Sequence, residues 1–185
     1  MSSGASTNPG LRGELARLLA ARNLKAYLAY IWERYFADVP RVNEVQIAYC
    51  RPWKSRLGLI RMSLDETTSF IGINALLQHE LVPEYVLITT VAHELAHYAH
   101  GFGSPLPRLY AHPHANNVVN CELERRGLGT SVRQCDAWID REWFAFYDTQ
   151  RELGWAEIPC IHLACEREQI VEVIGEAFGK SRDHR

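Results

Sequence analysis

The first third of the chain carries apolar side chains at helical spacing. Between positions 11 and 36 they fall three or four residues apart, which predicts one long helix or two abutting helices that break near Asn23. Residues 1–10 are small and polar and include Pro and Gly, so we expect a disordered leader there. The folded part of the chain is therefore predicted to begin with helix.

Alternation of apolar and polar positions then indicates strands. Residues 42–49 and 57–62 each predict a strand, and the polar turn at 51–56 between them predicts a hairpin. A third short strand is expected at 69–74. The pattern thus predicts a small sheet that follows the first helices.

Helices dominate the rest of the predicted structure. Pro83 stands where a helix starts and Gly101 where it stops, so the apolar stripe between them predicts a helix. A loop is expected at 101–113, which holds three Pro and two Gly, and a helix at 115–126. Asp136 is predicted to cap a further helix that carries several aromatic residues.

Length and composition are those of one ordinary folded domain. The chain has 185 residues, 47% of them hydrophobic and 23% charged, which excludes disordered and fibrous classes. Together with the pattern this predicts a single α+β domain dominated by helices. The net charge is −2, but residues 1–60 hold nine basic and four acidic side chains, a balance of +5. A nucleic-acid footprint is therefore expected on the N-terminal portion.

Cysteine usage and the absence of long apolar runs indicate the compartment. Five Cys, an odd number without framework spacing, favour a reducing environment. The N-terminus has no charged segment followed by an apolar core, and no stretch is apolar enough to span a membrane. We therefore expect an intracellular, cytoplasmic protein with no membrane partner; the pattern does not predict an oligomeric state.

The sequence His93-Glu94-Leu-Ala-His97 lies in the middle of the best-defined predicted helix. Two His four residues apart project from one helical face, which is the arrangement that a Zn²⁺ ion needs for two of its ligands. Glu94 is not itself a ligand in this pattern and is placed to act as general base and acid. The motif predicts a zinc metallopeptidase.

The third metal ligand is not fixed by this motif. His112 and His114 both follow the predicted loop, which is long enough to bring either of them over the metal. Glu122 or Glu124 on the next helix would instead complete a site of two His and one Glu. His100 shares the helical face of His93 and His97 but lies one turn further along, where a cation beside a helix C-terminus is the simpler interpretation.

Three weaker sets of residues carry hypotheses of their own. Tyr98 and Tyr110 are candidates to stabilise the oxyanion that forms during peptide hydrolysis. A basic turn with an aromatic residue is a candidate to hold phosphate and stack on an unpaired base of single-stranded DNA; it comprises Arg51, Trp53, Lys54 and Arg56. A strand predicted at 158–163 brings potential ligands for a second, structural zinc: Cys160, His162 and Cys165, with Cys135 as a potential fourth.

Several segments in one order resemble a known family. They are Tyr35-Phe36-Ala-Asp-Val-Pro, Arg56-Leu57-Gly58 leading into Ile60-Arg-Met, residues 71–77, and Val91-Ala-His-Glu-Leu-Ala-His97. Over residues 24–128 the chain is similar to the SprT-like (Spartan-type) zinc metalloprotease domain. The resemblance implies a zincin-like fold, in which a small twisted sheet packs on the helix that carries the zinc motif. Its best-known members cleave proteins crosslinked to DNA.

The resemblance also bears on the third ligand and on domain organisation. In that family the third ligand is a His followed by a small residue, with an apolar residue four positions on. His114, followed by Ala115 and Val118, fits this description better than His112, which remains the alternative. Residues 11–128 are then expected to form the catalytic domain, and 129–185 a helical extension packed on it.

The function expected from the sequence is a zinc-dependent endopeptidase that hydrolyses peptide bonds by a metal-activated water. Its substrates would be proteins or peptides, including proteins associated with or crosslinked to DNA. Two alternatives stay open: a metal-binding module associated with nucleic acid and without proteolytic activity, and a zinc hydrolase of a non-protein substrate.

Overall fold

A computed structural model describes residues 17 and 21–155. Helix α1 spans Leu24–Tyr35, and its N-cap is Asn23, whose side chain accepts a hydrogen bond from the Ala26 amide at 3.1 Å. The break predicted near Asn23 is confirmed. The predicted leader, most of the predicted helix before Asn23, and the predicted strand with Cys160, His162 and Cys165 lie outside the described residues.

Three strands form a mixed sheet: β1 (Glu44–Cys50), β2 (Gly58–Met62) and β3 (Thr68–Asn74). β3 lies in the centre, parallel to β1 and antiparallel to β2. The three predicted strands are confirmed, but the predicted hairpin between the first two is wrong, because β3 separates them. Six of the seven residues of β3 are buried. A central strand is covered by a neighbour on each side, so the central position suits this mostly apolar strand.

The connection from β1 to β2 crosses the end of β3 and is held there by Asn74. The buried Asn74 side chain donates through Nδ2 to the carbonyl oxygens of Trp53 at 2.8 Å and Arg56 at 2.7 Å. Its Oδ1 accepts from the amide of Leu76 at 3.1 Å and so caps the 3₁₀ turn Ala75–Gln78. One amide side chain thus fixes the crossing segment and the end of the strand together.

We expect Asn74→Ala to lower the free energy of unfolding by about 3 kcal/mol, because three hydrogen bonds are lost and two partly buried carbonyl groups lose their donor. Urea denaturation measures the change. Gln46→Ala is the matched control, since the Gln46 amide bonds only to the exposed Glu44 carboxylate among the described residues. Equal, small effects of the two substitutions would contradict this role for Asn74.

Helix α2, Glu84–Ala99, lies at the centre of the molecule and packs against α1, the sheet and the two helices that follow it. Most of its side chains are buried, including Val86, Leu87 and Val91. It begins one residue after Pro83 and ends before Gly101, whose φ of 78° only glycine adopts readily. The predicted helix is therefore confirmed at both ends.

The segment after the 101–113 loop is helical in pieces. A 3₁₀ turn, Ala115–Asn117, precedes α3, Val118–Arg125. Asn116 and Asn117 have φ of 52° and 59°, and this left-handed step separates the two pieces of the single helix predicted there.

The remaining elements are α4 (Gly129–Trp138), a π-helical turn (Ile139–Trp143) and α5 (Phe144–Glu152). Asp136 lies inside α4, so its predicted role as a cap is wrong. Polar residues between Val132 and Cys135 make the apolar stripe of α4 hard to recognise in the sequence, but this stripe faces the core. Val132, Cys135, Trp138 and Trp143 belong to the same core cluster as α2, so residues 129–155 pack on the rest of the domain.

The described residues form an α+β arrangement that is rich in helix, as the sequence pattern predicts. Within this part of the chain, no helix combines the length and the apolar character needed to cross a membrane.

Candidate metal centre

Two histidines face each other on one side of α2. The Nε2 atoms of His93 and His97 are 3.1 Å apart, because residues four apart in a helix lie one above the other. His97 is buried and His93 is partly buried. The helix therefore presents two imidazole nitrogens to one point in space.

His114 completes a cluster with them. Its ring centroid is 5.5 Å from that of His93 and 4.7 Å from that of His97. One nitrogen from each of the three rings lies within 4.8 Å of the other two, and no other group of His, Cys, Asp and Glu among the described residues meets this criterion. The structure thus brings His114, and not His112, to the pair on α2.

The other ligand candidates are engaged elsewhere. Glu122 pairs with Arg125 and Arg126, at 2.7 Å in each case. His100 is buried, and its ring packs edge-on against Tyr110 with centroids 4.9 Å apart. Neither residue reaches the three-histidine cluster, and Glu124 is also absent from it.

The 101–114 loop folds back along α2 and is held there by hydrogen bonds to the end of that helix. The amide of Phe102 donates to the His97 carbonyl at 2.9 Å, and the amide of Leu109 donates to the His100 carbonyl at 3.1 Å. The Ser104 hydroxyl donates to the Tyr98 carbonyl at 2.6 Å. A Cβ on Gly101 would lie 2.5 Å from the Pro107 carbonyl oxygen, so this close approach requires glycine. The loop is therefore anchored along the end of α2.

The chemistry of the three histidines fits a zinc ion. Two ligands at about 2.0–2.1 Å from a tetrahedral zinc lie about 3.3 Å apart, close to the separation of the His93 and His97 nitrogens. Burial and the neighbouring histidines lower the pKa of His93 to about 4 and that of His97 to about 3. Both rings are therefore neutral near pH 7, which is the form that binds metal.

Glu94 lies beside the cluster and is 5% exposed. Burial raises the pKa of its carboxyl to about 8, and the positive charge of Arg56 acts in the opposite direction. Gly58 on β2 lies against this carboxyl, because a Cβ on Gly58 would be 2.6 Å from Glu94 Oε1 and 2.9 Å from Thr90 Cγ2. The glycine permits the sheet to approach the Glu94 side chain.

The three histidines and Glu94 line one cleft of about 770 Å³. Strand β2 and the residues before it form one wall, α2 the floor, and α4 and the His114 segment the opposite side. Asp136 lies on the α4 wall, a position that sequence reasoning missed. The spacing of Val132, Cys135, Asp136 and Ile139 on one helical face is the signal that places it there.

Neither tyrosine proposed as an oxyanion stabiliser lines this cleft. The Tyr98 hydroxyl accepts from the Val42 amide at 3.1 Å and donates to Asn43 Oδ1 at 3.0 Å. Tyr110 packs on His100 and is 40% exposed. Their contacts indicate a structural role for Tyr98 and place Tyr110 at the surface.

The basic turn forms a second concavity of about 460 Å³ together with Tyr147. Arg51, Trp53, Lys54 and Arg56 all line it, but Lys54 Nζ is 3.0 Å from Asp148 Oδ1, so one of the three charges is paired. Arg56 also lines the main cleft. The two concavities are therefore neighbours.

Comparisons of the chain with protein-family models, with curated proteins and with solved structures give no match. The assignment of function therefore depends on the geometry of the three histidines, of Glu94 and of the cleft that they share.

Proposed function

We propose that the protein is a zinc-dependent endopeptidase with a zincin-like catalytic domain of the SprT-like (Spartan-type) kind. The observation that supports this most strongly is the convergence of His93, His97 and His114 beside the buried Glu94, all four lining one open cleft. A purely structural zinc site has four protein ligands and is closed, whereas a catalytic site has three and an open position. Three clustered histidines facing a cleft favour catalysis.

The four residues divide into metal ligands and a general base in the proposed reaction. His93, His97 and His114 would hold the zinc, which when bound would supply Lewis acidity and lower the pKa of water to about 7. Glu94 takes the proton from the attacking water and then gives it to the leaving amine. Burial raises the pKa of the Glu94 carboxyl, which makes its carboxylate a stronger proton acceptor.

Strand β2 favours a peptide as the substrate over a small molecule. Within the described part of the chain β2 pairs only with β3, so its other edge leaves main-chain groups available beside the cleft. An extended peptide can add to such an edge by backbone hydrogen bonds. This edge supports the endopeptidase over the alternative of a zinc hydrolase with a non-protein substrate.

The direct test is hydrolysis of casein by protein that has been loaded with one equivalent of zinc. We expect cleavage that stops when a chelator such as 1,10-phenanthroline is added and returns when zinc is restored. Zinc binding without cleavage of casein or of a peptide library would instead support the metal-binding module.

Gly58→Ala tests the contact between the sheet and the catalytic carboxyl. The new Cβ would displace the Glu94 carboxyl, and displacements of about 1 Å cost about 100-fold in rate, so we expect a loss of that order in kcat/KM. Gly129→Ala is the control, since its Cβ would meet mainly the flexible Glu124 side chain at 3.2 Å. Zinc content should stay at one equivalent in both variants. Unchanged peptidase activity of Gly58→Ala would show that the Glu94 position is not critical.

Single-stranded DNA is proposed as a partner of the second concavity. Trp53 and Tyr147 line it, and Arg51 and Arg56 form no ion pair with any described residue. We expect fluorescence titrations with an oligonucleotide to give binding in about 50 mM salt that weakens strongly in about 200 mM salt. Arg51→Ala should reduce the salt dependence, and absence of binding at the lower salt concentration would exclude this partner.

A further inference from the structure

Helix α4 forms a mixed apolar and acidic wall of the cleft. Cys135, Asp136 and Ile139, the last in the π-helical turn, follow Val132 by three, four and seven residues, so the four residues share one helical face, and all of them line the cleft. Val132 and Cys135 are buried against α2, whereas Asp136 is exposed at the rim. The wall therefore places a small apolar surface, mainly that of the partly buried Ile139, beside an exposed carboxylate.

The Asp136 carboxylate has no positive partner among the described residues. None of the ion pairs between them includes it, and its neighbour Asp140 adds a second negative charge one turn along the helix. Partial burial and the charge of Asp140 both raise the pKa of Asp136. A cation from outside the chain would relieve this unfavourable environment.

The floor of the cleft carries an unused hydrogen-bonding group. Thr89 precedes His93 by one turn of α2, lines the cleft and is 7% exposed. Its Oγ1 has no hydrogen-bond partner, whereas the hydroxyl of the neighbouring Thr90 donates to the Val86 carbonyl at 2.8 Å. A buried hydroxyl without a partner is costly, so rotation of the Thr89 side chain toward an N–H donor bound in the cleft would be favoured.

The opposite wall has the opposite charge. Arg56 and Arg61 line the β2 side of the cleft, and neither forms an ion pair with a described residue. A peptide lying along β2 would therefore have a positive field on one side and a negative field on the other. Such an arrangement selects side chains by charge.

We propose that the α4 wall is a specificity site for a lysine or arginine side chain of the substrate next to the bond that is cleaved. The aliphatic stem would lie on the partly buried Ile139, with Val132 and Cys135 beneath it, and the cationic head would bind the Asp136 carboxylate with Thr89 as an additional acceptor. Lys and Arg combine an apolar stem with a charged end, which matches this wall. The inference rests on the proposed endopeptidase function and specifies its substrates.

The test is the cleavage of a peptide library by the zinc-loaded protein, with cleavage positions read by mass spectrometry. We expect a Lys or Arg at one fixed position beside the cleaved bond in the wild-type products. Asp136→Asn should lower kcat/KM for these peptides about tenfold, and Asp136→Lys should shift the preference to Glu or Asp at the same position. Glu124→Gln is the matched control, because Glu124 does not line the cleft.

A binding measurement keeps the inference testable apart from catalysis. Fluorescence anisotropy with the Glu94→Gln variant compares a fluorescent Lys peptide with its Gln counterpart, and we expect tighter binding of the Lys peptide that disappears in Glu94→Gln/Asp136→Asn. Thr89→Val should weaken the same peptide less. Cleavage without any preference for a basic residue, or equal binding of the two peptides, would overturn the specificity site while leaving the endopeptidase intact. Absence of cleavage with a retained preference in binding would overturn the endopeptidase instead.

Discussion

Replacing Glu94 with Gln is expected to abolish most of the peptidase activity while zinc stays bound. Gln has nearly the same shape and fits the same buried position against Gly58. It cannot accept and return a proton, and loss of a positioned general base typically costs about 10²–10⁴-fold in rate. Because Glu94 is not among the three clustered nitrogen ligands, the metal content should not change.

The measurement pairs kcat/KM on a fluorogenic peptide with zinc content by elemental analysis. Glu124→Gln serves as control, since that carboxylate lies outside both the cluster and the cleft. Wild-type turnover by Glu94→Gln would exclude the proposed mechanism. Loss of zinc from this variant would instead make Glu94 a ligand.

Replacing His97 with Ala is expected to remove the metal itself. Its Nε2 faces that of His93, and the remaining two histidines would leave the ion with only two protein ligands. We expect zinc affinity to fall by more than about 100-fold, the upper end of the loss seen when only an outer hydrogen-bond partner of a ligand is removed. Peptidase activity should be lost with it.

Competition with a chromophoric chelator measures the affinity, and His114→Ala should give a comparable loss. His112→Ala is the control, because His112 is only two residues away but does not belong to the cluster. Retention of one equivalent of zinc with unchanged affinity by His97→Ala would place the metal elsewhere. Loss of zinc from His112→Ala would reverse the choice between the two histidines.

Local patterns predicted the elements well, while their spatial arrangement needed tertiary information. The helix that carries His93 and His97 follows from apolar spacing between Pro83 and Gly101. The pairing of β1 with β3 does not follow from local pattern, because two strands adjacent in sequence favour a hairpin. Only the burial of the third strand explains its central position.

The candidate site also has one part that the sequence predicts and one part that depends on the tertiary structure. Two of its histidines and Glu94 lie within five consecutive residues, so helical geometry alone predicts that the histidines share a face. Sequence spacing alone could not decide between His114 and His112, because the position of each histidine depends on how the loop folds back on α2. The hydrogen bonds of the Tyr98 hydroxyl could not be predicted from the sequence either, because its partners Val42 and Asn43 are distant in sequence.

The strand order has a consequence for how the molecule assembles. β2 and β3 are antiparallel neighbours in sequence, and the Ser63 amide donates to the Thr68 carbonyl where the chain reverses. Closing so short a loop costs little chain entropy, whereas the parallel pairing of β1 with β3 must first bring distant segments together. The wall that carries Gly58 is thus built from local contacts, so we expect β1 to dock after it, on the side of β3 away from β2.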